Sequence, residues 1–117
     1  MAAGAFGAHG LSGKLKDDSS LSAEDRSRRL DWFETGARYH MYHALAVVLV
    51  GLVATRHPSI WLTVAGNCFV LGILIFSGCL YAMALGAPKF LGAIVPIGGT
   101  SFIAGWVGLA IAAFRAD

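Results

Sequence analysis

The chain has 117 residues, 56% of them hydrophobic and 14% charged, with a formal net charge of +2 and a mean hydropathy of +0.66. Soluble domains carry about 25% charged residues, so this is not the composition of a soluble domain, and a charge of +2 is too small to point to nucleic acid as a partner. The length gives one membrane domain, 1–117, and leaves no room for a second.

Residues 1–13 are apolar and rich in small side chains, with Gly4, Gly7, Gly10 and Gly13 at every third position. On a helix, small residues three and four apart let another backbone approach closely. Thirteen helical residues rise only about 20 Å, so this segment is expected to be a partial first helix that does not cross a membrane. It lacks the basic start and long apolar centre of a signal peptide.

Residues 14–38 form a polar connector that passes into an amphipathic helix. Six of the nine basic residues (Lys14, Lys16, Arg26, Arg28, Arg29, Arg38) and six of the seven acidic ones lie here, so the connector is nearly neutral. Residues 14–21 read as a loop. Ser22, followed by Glu24 and Asp25, predicts a helix N-cap with acidic residues in the first turn. Leu30, Phe33, Ala37 and Met41 then follow helical spacing, which predicts one long helix from Ser22 to about Thr55. Its apolar half, residues 39–55, is the first predicted span. Trp32, Tyr39 and Tyr42 suit the interfacial aromatic belt at its entrance. Glu34 and Arg38, four apart, are expected to form a surface ion pair there, close enough to lipid headgroups for contact.

Arg56-His57-Pro58-Ser59 predicts a turn, residues 60–85 a second span, Gly86-Ala87-Pro88-Lys89 another turn, and residues 90–114 a third span. No Asp, Glu, Lys or Arg occurs from His57 to Pro88 or from Phe90 to Phe114. Each stretch exceeds the roughly 20 apolar residues needed to cross a bilayer. Cys68 and Cys79 stand about 16 Å apart along one helix and cannot bridge each other there. Pro96, followed by Gly98 and Gly99, predicts a kink or local unwinding inside the last span. Gly105 and Gly108, with Ala104 and Ala112, form a small-residue stripe, and Gly78 is a further packing position in the second span. With four crossings, the connector and Lys89 share one side with seven basic residues, and Arg56 and Arg115 share the other. The positive-inside rule then puts the connector in the cytoplasm.

Four stretches carry a resemblance: Gly4-Ala5-Phe6-Gly7-Ala8-His9-Gly10-Leu11; Phe33-Glu34-Thr35-Gly36-Ala37-Arg38-Tyr39-His40-Met41-Tyr42-His43-Ala44-Leu45; Ser77-Gly78 with Leu80-Tyr81; and Pro96-Ile97-Gly98-Gly99 with Gly105-Trp106. In this order and spacing the chain resembles the small membrane-protein family called domain of unknown function 423, which includes transmembrane protein 256. The resemblance covers nearly the whole chain and implies a four-helix membrane bundle, with no reaction attached. Family members usually have further apolar residues before the Gly-Ala-Phe-Gly-Ala-His run, forming a full first span. Here only Met1, Ala2 and Ala3 precede it, so the expectation is a misassigned start or, second to it, a truncated first helix.

His40 and His43 are three apart on a membrane helix, and His9 can join them across a helix interface. Imidazoles are ligands for transition metals and haem, but no Cys, Asp or Glu at a comparable depth completes a set. The expected role of all three is hydrogen bonding to backbone or to Tyr39 and Tyr42, and no cofactor or metal is assigned. Asn67, Ser77, Thr100 and Ser101 are likewise expected to tie helices together. A proton-coupled exporter generally needs an intramembrane carboxylate, and none occurs between Tyr39 and Ala116. No nucleophile stands at a suggestive spacing from a base, so no enzyme is expected. The reading is an all-α, multi-pass protein of a membrane, a bacterial inner membrane first, in a small four-helix transmembrane bundle. It acts by association with copies of itself or with a larger membrane complex. The alternative is ligand, metal, haem or lipid binding, or transport, centred on His9, His40, His43 and the Pro96 break. On the leading view, Gly108→Leu disrupts assembly and His43→Ala does little to it.

Overall fold

The computed structural model describes residues 2–116, with the backbone alone at Ala8; Met1, the start that the resemblance puts in question, and Asp117 lie outside the described residues. The described residues are all-α and form four helices. Helix α1, residues 2–17, joins α-helical turns Ala2–Ala5 and Ser12–Asp17 through a π-helical segment, Phe6–Leu11. Helix α2 is Ala23–Ala54. Helix α3, Ile60–Ala84, contains a π-helical segment at Ile73–Ser77. Helix α4, Lys89–Phe114, opens with a 3-10 turn, Lys89–Ala93, before its α-helical part, Val95–Phe114. Three of them, α2, α3 and α4, are long and apolar enough to cross a membrane.

The first helix runs past Gly13 to Asp17, where the sequence predicts a loop. Leu11 and Leu15, one turn apart, are buried with Phe33 of α2 and Ala84 of α3, and that apolar stripe holds the last turn in place. Between α1 and α2, the Arg26 guanidinium donates to the carbonyls of Leu21 (2.9 Å) and Asp18 (3.3 Å). Two hydrogen bonds from Ser20 hold the Asp18 carboxyl below its usual range, with the Arg29 and Arg26 charges adding to the effect. Ser22 caps α2 as expected, its hydroxyl accepting from the Asp25 N–H at 3.1 Å. An N-cap hydroxyl is worth about 1 kcal/mol, so Ser22→Ala is expected to lower the thermal midpoint by a few degrees, followed by circular dichroism in detergent micelles. An unchanged midpoint would show that packing alone holds this helix start.

Helix α3 lies between α2 and α4 and runs antiparallel to both. Ser77 Oγ donates to the Gly36 carbonyl (2.8 Å), joining α3 to α2. Ser101 Oγ donates to the Cys68 carbonyl (2.7 Å), joining α4 to α3. These are the interhelical bonds expected of polar groups in a membrane. Thr100 instead bonds back to Pro96 within its own helix.

The glycines let the helices close. A Cβ at Gly98 would sit 2.5 Å from the Phe76 backbone nitrogen, one at Gly105 2.6 Å from the Phe69 ring, and one at Gly108 3.3 Å from the Trp61 carbonyl. The stripe on α4 is therefore used inside the chain, against α3. Gly7 packs on the Phe33 ring in the same way, whereas Gly4 and Gly78 face open space.

Pro96 does not break the last span. It occupies the first turn of the α-helical part of α4, where its missing N–H has no helical partner to lose and its fixed φ suits the helix start. The irregular backbone is the 3-10 turn before it. A core of Ala46, Val50, Leu62, Ala65, Phe69, Phe102 and Ala112 joins the three spans. The molecule is a thin, elongated layer, 60 × 26 × 14 Å, because α2 and α4 pack on α3 far more than on each other.

Candidate functional site

Where α2 and α4 flank α3 without closing on each other, their side chains form a groove. Tyr39, Tyr42 and His43 on α2 follow three- and four-residue spacing, as do Pro96, Gly99, Thr100 and Ile103 on α4, so each set forms one wall. Phe76 of α3, Phe102 and Trp106 complete the lining of a groove of about 720 Å³. Its floor is a stack of rings. His43, 5% exposed, lies face to face with Phe102, their centroids 3.5 Å apart and planes 7° from parallel. Gly72 makes room for the Phe102 ring, which any Cβ there would strike. Tyr39 packs on Phe76 at 4.8 Å, and Phe69 on Trp106 at 5.1 Å.

His43 spends both ring nitrogens inside the protein. Nδ1 is 2.8 Å from the Tyr39 carbonyl, and Nε2 is 3.2 Å from the Trp106 indole N–H. A carbonyl only accepts and an indole N–H only donates, so this pair specifies the neutral tautomer with the proton on Nδ1. Neither nitrogen is left for a metal or a haem iron.

The other two histidines are elsewhere. His40 Nδ1 meets the Tyr81 hydroxyl at 3.1 Å and borders a second cavity of about 510 Å³ between α1 and α2, with Ala2, Ala3, Gly4 and Met41. His9 is exposed on α1. The three therefore do not converge, and among the described residues no group of three or more His, Cys, Asp or Glu is placed to hold a metal ion. The predicted hydrogen bonding holds for His43 through backbone, but its side-chain partner is Trp106, and that of His40 is Tyr81; Tyr39 and Tyr42 hydroxyls are not used. Cys68 and Cys79 are free thiols.

At the membrane entrance Glu34 and Arg38 are exposed and do not pair. The ion pairs among the described residues are those of Arg28, with Glu24 at 3.0 Å and Asp25 at 3.5 Å. Trp32 is half-buried, and Tyr39 and Tyr42 are 38% and 55% exposed. The sequence reading missed Phe76, Phe102 and Trp106 as site residues. The one signal was the four-residue spacing of Phe102 and Trp106, which puts them on one face.

Residues 3–99 match the family described as a protein of unknown function, DUF423. Three bacterial proteins are among the chain's relatives. A UPF0382 membrane protein of Staphylococcus haemolyticus is 43% identical over 96% of this chain and 83% of its own length. The UPF0382 membrane protein YwdK of Bacillus subtilis is 41% identical over 96% and 84%. The UPF0382 inner membrane protein YgdD of Escherichia coli is 35% identical over 98% and 80%. No solved structure matches the chain.

Proposed function

This chain belongs to the DUF423 family, and we propose that it acts without catalysis, by lateral association in the bilayer with copies of itself or with a larger membrane complex. Likeness to the inner membrane relative of Escherichia coli favours a bacterial inner membrane as its location. One observation carries the reading: a groove of about 720 Å³ with an aromatic floor stays open between two spans of a thin helical layer. Three of its polar side chains are engaged inside the chain, since His43 binds Trp106 and the Tyr39 carbonyl, and Thr100 binds Pro96. Apart from the Tyr39 and Tyr42 hydroxyls, what it offers outward is apolar shape. In lipid, helices associate through such packing rather than through a hydrophobic driving force, and a ridge of side chains from another helix fits the slot. The serines support the absence of catalysis, because the Ser77 and Ser101 hydroxyls each donate to a carbonyl of a neighbouring helix rather than to a base.

A second reading shares the same groove. Its volume falls within the roughly 300–1,000 Å³ typical of small-molecule sites, so a lipid chain or another apolar ligand is the rival occupant. The rival no longer includes a three-histidine centre.

Photo-cross-linking in intact membranes separates the two. Benzoylphenylalanine at Ile103, on the groove wall, is expected to trap a protein of fixed mass, whereas the same group at Leu74, exposed on α3, traps none. Thr100→Trp, which fills the groove, should abolish the adduct. Adducts with lipid alone at Ile103 would overturn the proposal in favour of the rival.

A further inference from the structure

A separate cleft lies at the connector end of the spans, between the start of α2 and the turn joining α3 to α4. Asp25, Arg28, Arg29 and Trp32 of α2 line it together with Met83, Ala87 and Lys89, around a volume of about 100 Å³. We propose that this cleft is a phosphate-binding site, in which Arg29, Lys89 and the Trp32 indole N–H hold the oxygens of a phosphate anion presented at the membrane surface.

Local geometry brings the cations together. Arg28 and Arg29 lie four and three residues before Trp32 on α2, so each is its neighbour on the helix surface. Gly86 adopts φ +107°, a left-handed turn that glycine makes without strain. That turn sets Lys89 beside α2, and the Arg29 guanidinium lies against Gly86, where a Cβ would be 3.4 Å from Nη1. The charges do not cancel inside the cleft. Asp25 is its one lining carboxylate and is already paired with Arg28, which also holds Glu24. Neither Arg29 nor Lys89 has a carboxylate within 4.0 Å among the described residues, and the Trp32 indole has no acceptor among them. Asp18 sits near enough to feel the Arg29 charge, but its carboxylate is turned to Ser20.

Depth points the same way. The turn at 86–89 separates two charge-free helices, so it emerges where hydrocarbon gives way to headgroups, and Trp32 belongs to that level. Guanidinium and indole donors above the apolar floor of Met83 suit a phosphodiester whose glycerol side faces the spans. Phosphate is the shared chemistry, and a lipid headgroup and inorganic phosphate are its two sources. The site is independent of the α2–α4 groove and does not rest on the proposed association.

The test is lipid retention by the full chain in zwitterionic detergent, read by native mass spectrometry. Phosphatidylglycerol is expected to be retained in preference to a neutral glycolipid, diacylglycerol galactoside. Arg29→Gln with Lys89→Gln should lower that retention by about thirtyfold, since each basic group near a membrane contributes about 1 kcal/mol. Lys14→Gln with Lys16→Gln removes the same charge from exposed positions on α1 and should leave retention unchanged. Lys89→Gln alone, at an exposed turn, keeps the test open if the double variant does not fold, with an expected loss of about fivefold. Displacement by excess inorganic phosphate at constant ionic strength would assign the site to the free ion, and persistence of phosphatidylglycerol would assign it to a headgroup. Equal losses in the Lys14/Lys16 and Arg29/Lys89 variants, or no loss in either, would overturn the proposal.

Discussion

Gly98→Ala is expected to separate α3 from α4 and to cost about 3 kcal/mol or more, near the upper range for overpacked sites. The new methyl would meet the Phe76 nitrogen at 2.5 Å and its Cα at 2.9 Å. These are backbone atoms of a helix, so no side-chain rotation relieves the clash. The helices must move apart, and the Ser101–Cys68 bond and the Gly105–Phe69 contact lie on the same interface. Gly78→Ala is the matched control. Its Cβ meets nothing within 4 Å, and alanine favours a helix over glycine by up to about 1 kcal/mol, so the control should be neutral or slightly stabilised. Unfolding in mixed micelles, followed by circular dichroism, measures both. Equal stability of the two variants would contradict the packing described.

His43→Ala is the second large effect, an expected loss of about 2–4 kcal/mol from removal of a buried ring. The change also takes the face from Phe102 and the acceptor from Trp106. His43→Phe separates these contributions. It keeps a ring on Phe102 and removes only the two polar contacts, so it should cost about 1 kcal/mol. The same unfolding assay reads it, and a phenylalanine variant as unstable as the alanine one would assign the main role to the hydrogen bonds. The sequence alone suggested that Gly108→Leu disrupts assembly and that His43→Ala does little to assembly, and made no statement about the stability of the single chain. The structure places both residues inside the chain: Gly108 packs on Trp61 and Ala65.

What the sequence made legible follows from strong constraints. Lipid excludes charge, so the stretches around α3 and α4 announce themselves without any alignment. Capping is local chemistry, so Ser22 marks the start of α2 to the residue. Other features depend on which surface meets which. Small-residue periodicity at Gly98, Gly105 and Gly108 predicts close approach but not the partner, and α3 of the same chain takes it. Pro96 reads as a break only if the helix has already begun, and here the α-helix begins with it. The Glu34–Arg38 spacing permits a pair, but exposed pairs gain about 1 kcal/mol or less, too little to fix two long side chains. The His43–Trp106 bond spans 63 residues, and the groove exists because α2 and α4 pack along α3 and reach each other only through side chains such as His43, Phe102 and Trp106, which no local pattern encodes.

The proposed association through the α2–α4 groove, with the histidines as structural groups, requires a protein partner in the groove and no bound small molecule. Native mass spectrometry of the protein released gently from its own membrane tests it most directly. The account predicts a species larger than one chain, with no stoichiometric small molecule, that reverts to the single chain in Thr100→Trp and persists in His40→Ala. A single chain carrying one small molecule that is lost in Thr100→Trp would contradict it.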